Sequence, residues 1–259
     1  NSDDEASLWG NGVTILLSFV IAGGDIPMDE LPTPSCALVI TPHPDDAEGG
    51  CGGTIAQWIK QGTAVYIVVC TDGGKGTSDL GMTPTRLASI RQKEQKEAAE
   101  VLGIRDVVFL DHPDGGLEDD YTFRGELVRA IRQFRPDVVL TTEPYRFNAH
   151  QHRDHRMAGQ VTLDACFPYA RDPHHFGEHI QEGLEPHKVG TVLFWNSADP
   201  ELFIDITESL DLKVKALTQH VSQVGGRPTG QWIRSRAQEV GRLSGMLHAE
   251  GFRRIDFRR

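Results

Sequence analysis

Four cysteines in 259 residues, none of them in a C-x-x-C pair, leave no disulfide framework and no thiolate metal ribbon to read. Cys36, Cys51, Cys70 and Cys166 lie mostly in or beside apolar runs, which predicts buried, reduced thiols in a cytoplasmic protein. Positive charge is also scarce. The 26 Lys and Arg against 37 Asp and Glu give a net charge of −11, so no basic stripe exists to release counterions from a nucleic acid or to hold an anionic membrane. Long apolar runs are absent as well: residues 13–22 come nearest, about ten residues against the roughly twenty that a bilayer needs. Asp3, Asp4 and Glu5 precede that run, the wrong flank for a secretory signal. Residues 1–33 are therefore expected to be a packed N-terminal extension, with a processed signal as the alternative. A chain that starts on Asn1 reads as trimmed.

What is present looks like an ordinary soluble domain, 39% hydrophobic and 24% charged. Residues 36–41, 64–71, 107–110, 137–142 and 189–195 are short, β-branched-rich and bounded by Gly, Pro or Asp, which predicts buried parallel strands. Helical patterns run between them over 53–61, 85–102 closed by Gly103, 122–134 stopped by Arg135-Pro136, and 156–166. The alternation implies an α/β fold: a doubly wound, Rossmann-like, mostly parallel sheet with helices on both faces, as a single domain over 34–259. Residues 206–220 and 232–248 read as two long amphipathic helices around a break at Gly225-Gly226-Arg227-Pro228. Residues 172–187, rich in Pro, His and Gly, read as a long loop and a rim of the cleft, and 71–85 as a mobile loop above it.

The densest chemistry sits where the first strand stops, at Pro42-His43-Pro44-Asp45-Asp46. Doubly wound sheets keep reactive groups at the carboxyl ends of their strands. His43 and Asp46, three apart across a proline-stiffened turn, can converge on one ion, which leaves Asp45 pointing elsewhere as a general base. A plain reading is that the two acids only cap the helix that follows. The second cluster, His150-Gln151-His152-Arg153-Asp154-His155, follows the fourth predicted strand. It offers one ligand, a neighbour to it and a group to orient the neighbour, or else a solvated polar loop. Imidazole and carboxylate without thiolate suit Zn²⁺, one per chain, or a similar divalent ion.

Other features point elsewhere. The glycine runs near Cys51 and after Thr71 lack dinucleotide and P-loop spacing. His174, His175, His179 and His187 are too irregularly spaced for a second metal site. Trp195, Trp232 and Tyr169 are expected in the core rather than against a sugar, and His220 with Gln223 shares a helix face that can reach the site.

The two clusters, together with Glu48-Gly49-Gly50-Cys51-Gly52-Gly53-Thr54, Thr71-Asp72-Gly73-Gly74, Arg91 with Glu94, Pro113-Asp114-Gly115-Gly116-Leu117 and His220-Val221-Ser222-Gln223, resemble the signatures of the LmbE-like/PIG-L zinc deacetylases over residues 36–252. The resemblance implies that His43, Asp46 and His155 hold zinc, that Asp45 is the general base, and that His152 steadies the oxyanion with Asp154 orienting it. Arg91 and Asp114 would meet sugar hydroxyls. Arg153 stands where many members carry proline, and His150 where some carry tyrosine. The implied reaction removes the acetyl group from an N-acetylglucosamine-type amino sugar or its conjugate, a small-molecule partner. The alternatives are an amidase cleaving a larger acyl group from a glucosamine conjugate, including a glycopeptide or thiol-sugar, and a non-catalytic nucleotide-sugar-binding module. No stable membrane anchor is expected, and a homo-oligomer stays open.

Overall fold

The first strand alternates nothing: Ala37, Leu38, Val39 and Ile40 are all fully buried, which only a strand covered on both faces permits. In the computed structural model, which describes residues 31–147 and 151–257, β1 (Cys36–Thr41) is an interior strand of a seven-stranded sheet ordered β3-β2-β1-β4-β5-β7-β6. β2 (Ala64–Thr71), β3 (Asp106–His112), β4 (Val138–Thr142) and β5 (Thr191–Trp195) extend it in parallel. The chain steps outward from β1 to β2 and β3, then returns to pair β4 with the other side of β1. That reversal opens a crevice above the carboxyl ends of β1 and β4. Pro32–Arg259 clusters as one compact unit, and the apolar run at 13–22 lies outside the described residues.

Local chemistry sets the helix ends. In α2 (Pro84–Leu102) the Thr83 hydroxyl accepts from the Arg86 N–H, proline takes the first turn, and Gly103 closes the helix at φ 83°. In α3 (Tyr121–Phe134) Asp120 accepts from the Phe123 N–H, and Arg135 turns left-handed before Pro136. α3 and α4 (Arg153–Asp164) cover one face, packing Phe123, Leu127, Ile131, Ala158 and Val161 on Leu38, Ile40, Val139 and Phe194. α1 (Asp46–Lys60) lies on the other face with α6 (Leu210–Leu217) and α8 (Thr229–Ser244), which share a core of Ile206, Leu210, Leu217, Ile233 and Ala237.

The C-terminal part departs from the sequence reading. The expected helices at 206–220 and 232–248 are shorter, and the four-residue α7 (Val221–Val224) stands between them. Two strands were not legible, β6 (Leu202–Asp205) and β7 (Ala249–Asp256), the latter antiparallel between β5 and β6. β7 hides because it carries arginines inside a sheet. Arg253 lies over the Phe194 ring at 4.3 Å and forms an ion pair with Glu143 at 2.5 Å, so its charge is neutralised in place.

The predicted cleft rim at 172–187 contains α5 (Gly177–Gln181) and packs along α3, from Tyr121, which donates to Glu178 at 3.2 Å, to Arg132. α3 runs back toward the amino ends of the strands, and its buried Arg132 donates to the carbonyls of Tyr169, Ala170, Asp172, His175 and Phe176. His187 lies 2.8 Å from the Pro136 carbonyl, just before β4. One guanidinium thus gathers the segment against α3.

α1 breaks at Cys51 (φ −141°), freeing backbone donors that a continuous helix would have used. Glu250 of β7 reaches across and accepts from Gly53 N–H at 2.9 Å and Thr54 N–H at 2.7 Å, while Lys213 balances its charge at 2.5 Å. The pair is almost fully buried. Glu250→Ala is expected to lower the unfolding free energy by about 3–5 kcal/mol, because it strands the Lys213 ammonium and two amides. Urea titration checks this, and a loss below about 1 kcal/mol would mean that the break is held otherwise.

Candidate metal centre and active site

The turn after β1 is locked from three sides. The Pro42 carbonyl accepts from both the N–H and the hydroxyl of Thr71 at the end of β2. Arg91 of α2, only 4% exposed, donates to the Pro44 carbonyl at 2.6 Å, to the Gly73 carbonyl at 2.9 Å and to the Asp45 carboxylate at 3.3 Å. Asp45 itself is left-handed at φ 99°, an expensive conformation for a residue with a side chain. Its N–H donates to Gln95 at 3.2 Å, Gln95 donates to Glu48 at 2.7 Å, and Glu48 lies 3.3 Å from His220, the last three all fully buried. This network holds the strained turn and explains how His220 bears on the site without entering it.

Around that turn the expected groups converge. Asp46 Oδ2 lies 3.1 Å from His43 Nδ1 and 3.2 Å from His155 Nε2. The other nitrogen of His43 lies 3.0 Å from Asp154 and 3.3 Å from Asp114. Two overlapping groups, His43/His152/His155 and His43/Asp114/His152/Asp154, have ligand atoms all within 4.8 Å of one another, the metal-capable groups among the described residues. The four histidines at 174–187 form no such group: His187 is spent on the Pro136 carbonyl and His179 stacks on Phe176.

α4 supplies the second half. His152 is its N-cap, its Nδ1 accepting from the Asp154 N–H at 3.2 Å. The Asp154 carboxylate, expected beside His152, is 4.0 Å from that ring and far better engaged elsewhere: with His43, with Gly115 N–H at 2.6 Å and with Leu117 N–H at 3.1 Å. It therefore orients His43 and ties α4 to the loop after β3. Asp114 in that loop accepts from Lys75 N–H at 3.0 Å, and Lys75 Nζ donates to the Asp114 carbonyl at 2.6 Å. Both Asp114 and Arg91 are thus bonded within the protein. His150 lies outside the described residues.

Charge is unevenly shared here. Burial disfavours an imidazolium at His43, yet Asp114, Asp154 and Asp46 outweigh it and push its pKa up to about 11. Burial likewise opposes ionisation of Asp46, but His155 and His43 hold it well below the usual carboxylate range. Asp114 drops to about 2, against its burial, under the influence of His43 and the Lys75 N–H. Asp45 goes the other way: burial first, then the neighbouring Asp46, raise it to about 7. Burial and the nearby His43 lower His152. Adjacent carboxylates with pKa values driven apart are the mark of divided acid–base roles.

Several neighbours were invisible in the sequence. Arg146 donates to Thr142 and to His155 Nδ1. Asn196, left-handed at φ 60° just beyond β5, lines a cavity of about 540 Å³ together with Asp45, Asp46 and Trp232. Trp232, expected in the core, is 61% exposed, whereas Trp195 is buried as expected. No described helix is long and apolar enough to cross a membrane, and the four cysteines are unpaired.

Residues 38–166 match the family model PIG-L, GlcNAc-PI de-N-acetylase. A diacetylchitobiose deacetylase of Thermococcus kodakarensis is 35% identical over 83% of this chain and 81% of its own length. A mycothiol S-conjugate amidase of Streptomyces coelicolor is 31% identical over 76% and 84%. Among solved structures, an N,N'-diacetylchitobiose deacetylase from Pyrococcus horikoshii superposes with a TM-score of 0.81 at 30% identity, covering 86% of this chain and 84% of that one. The fold, the paired clusters and these relatives agree, and the chain belongs to the PIG-L family, as a hydrolase alongside its deacetylases and amidases.

Proposed function

We propose that the chain hydrolyses the acetamido group of an N-acetylglucosamine-type amino sugar or its conjugate, using one Zn²⁺ and releasing acetate and a free amine. The observation that carries this reading is a carboxylate raised to about 7, Asp45, one residue from a carboxylate held far below its usual range and lodged between two imidazoles.

The residues present fit a divalent ion. Three carboxylates within 3.3 Å of one imidazole gather more negative charge than His43 and His155 balance, and the donors are nitrogen and oxygen with no thiolate among them. His43, Asp46 and His155 would hold the ion, and Asp154, on the far nitrogen of His43, would fix that ring in orientation. Bound there, Zn²⁺ supplies Lewis acidity, polarising an amide carbonyl and easing deprotonation of water. Asp45 takes the proton of the attacking water and returns it to the departing nitrogen, a task matched to a pKa near neutrality. His152 accepts the Asp154 N–H through Nδ1, so its Nε2 carries the hydrogen. It serves the developing oxyanion as a neutral donor, a contribution of about 3–4 kcal/mol in comparable sites. Burial and the nearby His43 disfavour an imidazolium there. Arg91 holds the Pro44 carbonyl and Asp45 and so keeps the base aimed; contact of Arg91 and Asp114 with sugar hydroxyls is the part of the reading that the bound substrate must supply.

Asp45→Asn is expected to keep stoichiometric zinc while cutting acetate release from N-acetylglucosaminides by about 10²–10⁴-fold. Metal analysis beside an acetate assay reads both, and surviving turnover would remove Asp45 from its role. His155→Ala should lose the zinc itself. Asp154→Asn should weaken zinc binding by about 10–100-fold, measured by competition with a chromophoric chelator; unchanged affinity would show that the His43–Asp154 contact does not support the ion. Release of a larger acid from longer N-acyl glucosaminides in preference to acetate would assign the chain to the amidases instead.

A further inference from the structure

Arg146 stands behind one of the proposed ligands. Its guanidinium donates to the Thr142 hydroxyl and, at 2.9 Å, to His155 Nδ1. A guanidinium can only donate, so Nδ1 accepts with its lone pair and the ring hydrogen is on Nε2, 3.2 Å from the Asp46 carboxylate that can receive it. Nε2 is also the nitrogen that an ion shared with Asp46 would meet, and an ion needs that lone pair bare. Partners on the remote nitrogen of a metal-bound imidazole are ordinarily acceptors. Here the partner is a donor, while an acceptor stands close by: Thr142 Oγ1 lies 3.4 Å from Nδ1, with a second lone pair to offer. The guanidinium is weakly kept in its place. Its Nε is buried without a partner. Burial disfavours its charge, and the opposing carboxylates, Asp46 and Glu143, are already engaged, with two imidazoles and with Arg253. The backbone around it is fixed: Tyr145 donates its N–H to Glu143 at 3.2 Å and its hydroxyl to Gln160 at 2.6 Å, and Gln151 donates to the Arg146 carbonyl. Any exchange therefore falls on the side chain.

We infer that Arg146 is a latch on His155, a positioning residue that holds the ring with its hydrogen on Nε2 and must yield Nδ1 before the ring can ligate a divalent ion. The exchange balances: one proton leaves Nε2 to water as another arrives at Nδ1 from water, so the ring keeps its charge. Arg146 gives up one hydrogen bond, and His155 gains one to the Thr142 hydroxyl. This rests on the zinc reading above and adds a competitor, carried by the chain itself, for one of the three ligands.

Two measurements on the full chain test the latch. Histidine-selective nitrogen NMR of chelator-treated protein is expected to show the His155 hydrogen on Nε2; Arg146→Met, or zinc added to the unaltered chain, should move it to Nδ1. Competition with a chromophoric chelator is expected to give Arg146→Met a zinc affinity about tenfold or more above that of the unaltered chain, the worth of one hydrogen bond to a charged group. An affinity unchanged or lowered overturns the latch. So does a hydrogen that Arg146→Met leaves in place, because a guanidinium acting by its charge alone would weaken zinc binding without choosing the tautomer. Nδ1–H found already in the chelator-treated unaltered chain overturns it without any variant. If neither chain takes up zinc, the metal reading falls and the latch with it, an outcome distinct from zinc bound alike by both.

Discussion

One imidazole surrounded by three carboxylates is the constraint around which the rest is arranged. Asp46, Asp154 and Asp114 reach His43 from the first turn of α1, the first turn of α4 and the loop after β3, so a single ring joins three crossover connections of the sheet. Like charges this close in a poorly solvated crevice repel strongly. The arrangement persists only because each carboxylate has donors of its own: Asp154 takes two backbone N–H groups, Asp114 the Lys75 N–H, and Asp46 a second imidazole. Such a cluster is built for a cation, and the fold spends much of its polar bonding on keeping it assembled.

Beside it, Asp45 is kept apart by backbone strain. Its left-handed conformation turns its carboxylate out of the ligand set and toward Arg91, and a chain of buried amide and carboxylate groups from Gln95 through Glu48 to His220 keeps it there. Two adjacent residues of identical chemistry therefore acquire opposite electrostatic characters, one deeply ionised and one poised near neutrality. The division arises from geometry that a dipeptide does not possess.

The central sheet was legible because its strands are continuous apolar runs ended by Gly, Pro or Asp, and β1 and β2 fall on the expected residues. The site was legible because histidines and acids cluster at two strand ends that a doubly wound order must bring together. Other parts depended on contacts no local pattern encodes. The 172–187 segment read as a long loop, yet Arg132 of α3 collects its carbonyls and α5 forms within it. β7 drew no strand reading because Arg253 and Arg254 interrupt its pattern; Phe194 and Glu143 make the first of them tolerable. α1 seemed to begin at Gly53, and a regular helix does restart there, with a distant carboxylate as its cap.

That last bond has a temporal meaning. Glu250 stands 197 positions after the glycine whose amide it receives, on a strand wedged between two others. While a ribosome is still extending the chain, the helix that follows the reactive aspartates lacks its brace and β5 lacks its outer neighbour. Maturation of the crevice therefore waits on a strand made 197 positions later, a high-contact-order route that favours slow, all-at-once closure over stepwise assembly from the amino end.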